Sequence, residues 1–246
     1  MGSATEEPGW KQRAVERSTQ AAKIRAGQRV ERFLDAAQVL MSEKGTTDFT
    51  VQEVVDHSRQ SLRSFYLHFD GKHELLLALF EDALGHTAQR IRAAASEHTD
   101  PLERLEVAVR LLFELSRVSP TAQRPLFTDF APRLLVSHPA EVKTAHAPLL
   151  TALAELLTDA AQAGLLRADV RPRRMAALIM QTVMFNAQSN RRGDNEPTHP
   201  LTADEVWTFC AHGFVPEDVA LRATGNRAMS AARGQRGDPL RWPQSP

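Results

Sequence analysis

Side chains that can hydrogen-bond to phosphates or to the edges of bases are concentrated between residues 50 and 72. Basic and hydroxyl side chains donate to phosphate oxygens, and arginine and glutamine also pair with base edges in the major groove of DNA. The candidate DNA-binding residues are Thr50, Arg59, Gln60, Ser61, Leu62, Arg63, Ser64, Tyr66, His68 and Lys72. Leu62 is included because it can touch a thymine methyl group, although a structural role fits it equally well. Side chains of these types suit a unit that reads DNA.

Two short helices are predicted to position these side chains. Thr50 and Glu53 have the spacing of a capping box, which opens one helix, and Ser61 can cap the next. Phe65 and Phe69 lie one turn apart and are expected on the buried side of that second helix. Two short helices with a tight link, the second with a polar outer face, are what a helix-turn-helix needs.

A basic segment precedes this motif. Between residues 10 and 32 only Glu16 and Glu31 oppose seven basic side chains, which are Lys11, Arg13, Arg17, Lys23, Arg25, Arg29 and Arg32. Such an arm can contact phosphates or enter the minor groove, or it can simply be a solvated tail. We predict residues 1–26 to be a disordered basic arm.

Apolar residues recur at helical spacing along the rest of the chain, and no strand pattern appears. The prolines between residues 119 and 139 predict short or bent helices there. The prediction is an all-α fold of about nine helices, with a three-helix DNA-binding domain at residues 27–87 and a larger helical domain at 88–216. Residues 217–246 are rich in Arg, Gly, Pro and Gln and are predicted to be disordered.

Charge and cysteine content bear on partners and compartment. The formal net charge is zero, so attraction to an anionic partner must come from local charge. Cys210 is the single cysteine, which excludes an intramolecular disulfide and fits a reducing compartment. Residues 1–18 lack the apolar stretch of a secretory signal, and no apolar run of the sequence is long enough to span a bilayer. We therefore expect a cytoplasmic protein without membrane contact.

Known catalytic and metal-binding motifs do not occur in the sequence. The nine histidines are not at metal-ligand spacing, and there is no HExxH, GxSxG, P-loop or dinucleotide fingerprint. Cys210 lies on an apolar helical face, which favours a small core residue over a redox sensor. The prediction is a protein that is not an enzyme, with no catalytic residues, no metal site and no cofactor.

The stretch from Thr50 to Leu76 resembles the TetR family of bacterial transcriptional regulators. The matching features are Thr50, the pair Val54-Val55, Ser61, the ending Tyr66-x-His68-Phe69, and Lys72 followed by Leu75. A weaker likeness covers residues 164–178, which look like the segment leading into the family's eighth helix.

The resemblance implies a homodimer whose helices eight and nine form a four-helix interface. Paired recognition helices would enter successive major grooves of a palindromic operator, and a small molecule bound in the larger domain would release the DNA. The favoured function is a ligand-responsive repressor. An activator, or a helical adaptor protein whose DNA-binding unit has decayed, are the alternatives.

Residue roles follow from position in the resembling motif. Tyr66, His68 and Lys72 match the family's phosphate contacts, Thr50 can combine capping with phosphate contact, and residues 60–64 lie where bases are read. The family usually has glycine where this chain has Arg59, and often glycine at the position of Arg63. Either Arg59 is left-handed or the turn differs. In one interpretation Arg63 contacts the edge of a guanine, or both arginines contact phosphates. In the other, both are solvent-exposed substitutions without a function.

The resemblance also predicts an effector pocket in the larger domain. The candidate residues are Phe113, Phe127, Phe130, Met180, Met184, Phe185 and Asn186. A lining rich in Met and Phe favours an apolar or amphipathic effector, with Asn186 as a polar anchor. Taken singly, each apolar residue fits a plain core position as well.

Overall fold

The computed structural model describes residues 9–117, 126–189 and 201–216, and all of its regular elements there are helical. Nine α-helices occur in these ranges: α1 (Gly9–Lys44), α2 (Val51–Ser58), α3 (Leu62–Tyr66), α4 (Lys72–Ser96), α5 (Pro101–Ser116), α6 (Ala131–Ser137), α7 (Pro139–Gln162), α8 (Pro172–Ser189) and α9 (Ala203–Phe214). A π-helical turn, Leu126–Phe130, leads directly into α6. The predicted all-α class is confirmed, whereas the predicted tail at 217–246 lies outside the described residues.

Helix α1 begins at Gly9, so the prediction of a disordered arm is wrong for residues 9–26. This segment contains no proline after Pro8, and it is rich in Ala, Arg, Lys, Glu and Gln, which are good helix formers. It has no buried apolar stripe, since Trp10 and Ile24 are 65% and 51% exposed. The pattern of apolar residues therefore does not predict a helix at residues 9–26, although the helix propensities of these residues favour one.

The described residues fall into two compact units. The first contains residues 9–84 and 126–145, and the second contains 85–117, 146–189 and 201–216. No helix in the described part of the chain is long and apolar enough to cross a membrane.

An aromatic cluster holds the first three helices together in the first unit. The rings of Phe33 on α1 and Phe65 on α3 meet edge to face, with centroids 5.3 Å apart, and Phe69 stands 5.4 Å from Phe65. Val54 and Val55 of α2 are buried as well. Edge-to-face pairs add to the burial of their apolar area. This cluster fixes the orientation of α3.

In the second unit, α5 packs against α8 and α9. Asp100 caps α5 by accepting from the backbone N–H groups of Leu102 and Glu103 at 2.8 and 2.9 Å, and Pro101 follows at the first helical position. The side chains of Leu105 and Phe113 are fully buried on the inner face of α5. Thr202 caps the last helix by accepting from the Glu205 N–H at 3.2 Å.

Candidate DNA-binding site

A complete capping box begins α2. The Thr50 hydroxyl oxygen accepts from the Glu53 N–H at 3.2 Å, and Glu53 Oε2 accepts from the Thr50 N–H at 2.7 Å. The hydrogen bond from Lys44 Nζ, at 2.6 Å, is the largest cause that lowers the pKa of Glu53 to about 2. The Thr50 hydroxyl also donates to Glu53 Oε2 at 3.0 Å, so its single proton is used inside the cap.

Arg59, in the turn after α2, has a left-handed backbone conformation. Its φ of 53° and ψ of 36° make it the one non-glycine residue with positive φ in the described ranges. The backbone N–H of Gln60 donates to the Val55 carbonyl at 3.3 Å, which closes the end of the helix. Of the two options for this turn, the structure has the strained one, at a cost of about 1–2 kcal/mol for a side chain with a Cβ.

Helix α3 presents its polar face outward. Ser61 caps it by accepting from the Ser64 N–H at 3.1 Å, which confirms the predicted cap. Phe65 is fully buried, whereas Leu62 is 42% exposed and Arg63 is also exposed. The capped start and the buried Phe65 leave Leu62 and Arg63 little freedom except to face solvent.

The chain that follows α3 carries the predicted phosphate contacts. Tyr66 is 56% exposed, and its ring stands edge-on to Phe65 with centroids 5.4 Å apart. Lys72 Nζ lies 5.0 Å from the centre of the Phe49 ring, a cation–π contact that orients the ammonium group. Ser64 Oγ and His68 Nε2 are buried without a hydrogen-bond partner among the described residues.

Together, the ten predicted DNA-binding residues are all exposed or half-buried. None is used in the apolar core, and nine of them lie between Arg59 and Lys72 on α3 and its flanks. The tenth, Thr50, stands at the start of α2. The predicted residues are therefore wholly or partly accessible, except at Ser64 Oγ and His68 Nε2, and two caps and an aromatic cluster hold the backbone that carries them.

The predicted effector residues are divided between the two units. Phe127 and Phe130 belong to the first, where their rings lie 5.5 and 6.5 Å from that of Phe80. The other five belong to the second, where Phe113 is fully buried and Met180 is buried.

Two members of this set do not behave as expected for pocket residues. Phe185 is 70% exposed, which does not agree with a place inside an apolar pocket. Asn186 Nδ2 donates to the Thr182 carbonyl at 2.8 Å, so one of its amide donors is used within α8. Apolar periodicity alone could not separate inner from outer positions on this helix.

A cavity of about 500 Å³ lies elsewhere in the second unit, on α7 and the first turn of α8. Its lining residues are Leu150, Thr151, Ala154, Glu155, Thr158, Asp159, Pro172 and Arg173. Its two carboxylates already have partners, because Arg92 contacts Glu155 at 3.0 Å and Arg104 contacts Asp159 at 2.9 Å. It shares no residue with the predicted pocket.

Sequence reasoning missed a polar cluster that joins the helix-turn-helix to the π-helical turn. Asp129 accepts from both the hydroxyl and the N–H of Thr47, and Arg133 Nη2 contacts Asp129 Oδ1 at 2.5 Å and Thr47 Oγ1 at 3.1 Å. The Thr47 hydroxyl is the main cause that lowers the pKa of Asp129. Thr47 and Asp129 lie 82 residues apart, so no local pattern could reveal the pair.

Cys210 is buried on α9, in agreement with the predicted core role. Its burial raises the pKa of the thiol to about 11. A thiol with that pKa is almost fully protonated at neutral pH and is a poor nucleophile.

Two family models match the chain. Residues 33–79 match the model for bacterial regulatory proteins of the tetR family, and residues 109–208 match that for the C-terminal domain of SbtR-like transcriptional regulators. Together the two matches span more than half of the chain.

Three known proteins illustrate the relationship. The HTH-type transcriptional activator FasR of Mycolicibacterium smegmatis is 23% identical over 73% of this chain and 82% of its own. The uncharacterized HTH-type transcriptional regulator YvdT of Bacillus subtilis is 34% identical over 25% of this chain, a match that spans only 32% of YvdT. The structure of Thermus thermophilus FadR, a TetR-family repressor in complex with lauroyl-CoA, has a TM-score of 0.57 at 24% identity, covering 73% of this chain and 90% of FadR.

The two model matches cover both halves of one type of regulator, and the solved structure has the same fold. The motif from Thr50 to Lys72 has the caps, the turn and the exposed polar face that reading DNA requires. The chain therefore belongs to the TetR family of bacterial transcriptional regulators.

Proposed function

We propose that this regulator binds a palindromic operator as a homodimer and represses transcription until an apolar or amphipathic effector binds. The observation that carries the proposal is the outer face of α3. It is short, capped and fixed by Phe65, and it presents Leu62 and Arg63 to solvent. A pre-ordered recognition helix avoids an ordering cost when it enters the major groove.

Within this surface we assign base reading to the start of α3 and phosphate binding to its end. Arg63 carries a guanidinium that can pair with O6 and N7 of guanine. Tyr66 is exposed and stands edge-on to Phe65, and Lys72 is half-buried with its ammonium group over the ring of Phe49. His68 is half-buried, and a phosphate contact through its Nε2 requires the ring to turn outward, since that atom is buried in the free protein.

Dimerisation is assigned to α8 and α9. Leu178 and Phe185 stand seven residues apart on α8, hence on one face, and are 57% and 70% exposed. Phe209 on α9 is 71% exposed, and α8 packs beside α9. Large apolar side chains exposed together on neighbouring helices favour a second copy of the chain as their cover.

The effector is proposed to be an acyl chain carried on a polar group. The buried residues Phe113 and Met180 supply apolar contact area in the second unit. The similar fold of Thermus thermophilus FadR holds lauroyl-CoA, which makes acyl-CoA thioesters the first class of compound to test. Acyl-CoAs that release DNA where free coenzyme A does not would support this assignment.

The test of DNA binding is a gel shift with the upstream region of the protein's own gene, over a salt series. We expect a specific shift at about 0.15 M salt, against a weaker shift with random DNA. Arg63→Ala should weaken binding to the operator by about 10-fold or more, and binding to random DNA much less. Arg90→Ala, an exposed arginine on α4 in the second unit, is the matched control.

Other outcomes separate the alternatives. Equal losses on operator and random DNA for Arg63→Ala would contradict base reading and favour a phosphate contact. A folded dimer with no shift at any salt would favour the adaptor protein with a decayed DNA-binding unit.

The alternative to repression is activation of transcription, because the similarity to the activator FasR extends over most of the chain. Transcription in vitro from the bound promoter decides between the two. Added protein should lower transcript yield under repression and raise it under activation.

A further inference from the structure

Two histidines and a glutamate from three separate helices meet in the first unit. His73 lies in the first turn of α4, His138 follows the last residue of α6, and Glu141 lies in the first turn of α7. His73 Nε2 stands 3.0 Å from Glu141 Oε2, and the two imidazole rings have centroids 4.7 Å apart. One ligand atom from each residue can be chosen so that all lie within 4.8 Å of one another.

The hydrogen bonds around His138 determine which ring nitrogen is available. Ser137 Oγ donates its only proton to the Arg133 carbonyl at 2.9 Å. With that proton on the carbonyl, Ser137 Oγ accepts the hydrogen bond at 2.7 Å from His138 Nδ1, which places the imidazole proton on Nδ1. Nε2 is left with its lone pair free, and the Nδ1–H is held by an outer partner, as is usual for a histidine that ligates a metal.

We propose that His73, His138 and Glu141 form a binding site for a divalent transition-metal ion of the zinc type. Two imidazoles and one carboxylate form a ligand set that such ions accept, with water in the remaining position. Bond lengths of about 2.0–2.1 Å imply ligand atoms about 3.3 Å apart around a tetrahedral ion. The pair formed by His73 and Glu141 is close to that separation, at 3.0 Å, and His138 is exposed and can rotate toward it.

Coordination at His73 Nε2 places the ring proton of the neutral imidazole on Nδ1. The ion then takes the place of the proton between His73 and the Glu141 carboxylate. Because the three ligands come from α4, α6 and α7, the ion cross-links the starts of two long helices through the end of a short one. Binding to the folded state alone raises its stability in proportion to the logarithm of the free metal concentration.

The test uses the full-length, tag-free protein after treatment with a chelator. Zn²⁺ is titrated in competition with a chromophoric chelator, and thermal unfolding is followed with and without Zn²⁺. We expect one tightly bound ion per chain and a higher Tm in its presence. His73→Ala, His138→Ala and Glu141→Gln should each weaken binding at least about tenfold and reduce the rise in Tm.

His98→Ala is the matched control, because His98 forms a comparable exposed pair with Glu103, at 3.7 Å, in the second unit. It should bind Zn²⁺ as the unchanged protein does. The proposal is overturned if no ion binds at a one-to-one ratio. It is equally overturned if the three site variants keep full affinity, or if His98→Ala loses as much affinity as they do. Circular dichroism of each variant establishes that it is folded, and the exposure of the two imidazoles leads us to expect that it is.

Discussion

Arg59 combines backbone strain with a positive charge at the predicted DNA-binding surface. The turn after α2 requires a left-handed residue, and glycine adopts that conformation without cost. Arginine retains the turn because the backbone hydrogen bonds to Asp56 and Val55 hold it. Arg59 lowers the stability of the fold and carries a positive charge at the predicted DNA surface. We therefore expect that it is tolerated because it contributes to DNA binding.

Replacing Arg59 by glycine should therefore stabilise the folded protein and weaken its binding to DNA phosphates. We expect a gain of about 0.5–1 kcal/mol in the free energy of unfolding, because the relief of strain is partly offset by the greater freedom of glycine in the unfolded chain. Chemical denaturation measures this gain. The slope of log Kd against log salt concentration for random DNA should fall by about one.

Two further substitutions at this position separate strain from charge. Arg59→Asn tolerates the left-handed conformation without the charge, so it should follow the glycine variant in both measurements. Arg59→Lys keeps the charge and the strain, so stability and salt slope should stay near those of the original protein. An unchanged salt slope in the glycine variant would mean that Arg59 does not touch phosphate.

Among the elements, the π-helical turn and α6 are notable because they form hydrogen bonds to the loop that precedes the helix-turn-helix. Asp129 and Arg133 both form hydrogen bonds with Thr47, which lies in the loop between α1 and α2. His138 and Glu141, a few residues further on, stand against His73 at the start of α4. Both ends of the segment that carries the DNA-binding residues are thus held by one stretch of chain.

The Thr47–Asp129 contact should make stability depend on pH in the acid range. The pKa of Asp129 is lowered in the folded state from its ordinary value of 3.8, chiefly by the Thr47 hydroxyl. Its contribution is therefore present above about pH 4 and is lost as the pH falls through the lower, folded-state pKa. Asp129→Asn should lower stability at pH 7 and flatten the decline in stability on the acid side.

A double-mutant cycle with Thr47→Val and Asp129→Asn isolates this contact. We expect a coupling of about 1 kcal/mol at pH 7, modest because the Asp129 side chain is partly exposed. At pH 3 the coupling should shrink. Strictly additive losses at pH 7 would show that the contact contributes nothing of its own.

The elements that sequence could predict are those defined by neighbouring residues. The capping box at Thr50 and the Ser61 cap are local signals, and each was found where predicted. The start of α1 was missed because an exposed polar helix has no apolar period. His73 and Glu141 were missed because 68 residues separate them, and only the fold brings the first turn of α4 next to the first turn of α7.

At the scale of the whole molecule, the operator binding proposed for this neutral chain favours a surface that is repeated in a homodimer. The formal net charge of zero provides no general attraction to DNA. One recognition helix of five residues also offers few base contacts. Two such helices joined in one dimer make the second binding event intramolecular, which can raise affinity by about 10²–10⁴. Tight operator binding should therefore require the proposed dimer face of α8 and α9, which exposes Leu178, Phe185 and Phe209.

Charged substitutions on that face should abolish dimerisation and, with it, tight operator binding. We expect Leu178→Glu and Phe185→Glu each to yield a folded monomer in light scattering, since an interface with a buried, unpaired carboxylate is disfavoured. Affinity for the full palindrome should fall about 100-fold or more, while affinity for a single half-site stays unchanged. Val136→Glu is the matched control, because Val136 is 85% exposed on α6 in the first unit. A dimer that survives both α8 substitutions would exclude this face as the interface, and a monomer that still binds the palindrome tightly would exclude symmetry as the source of affinity.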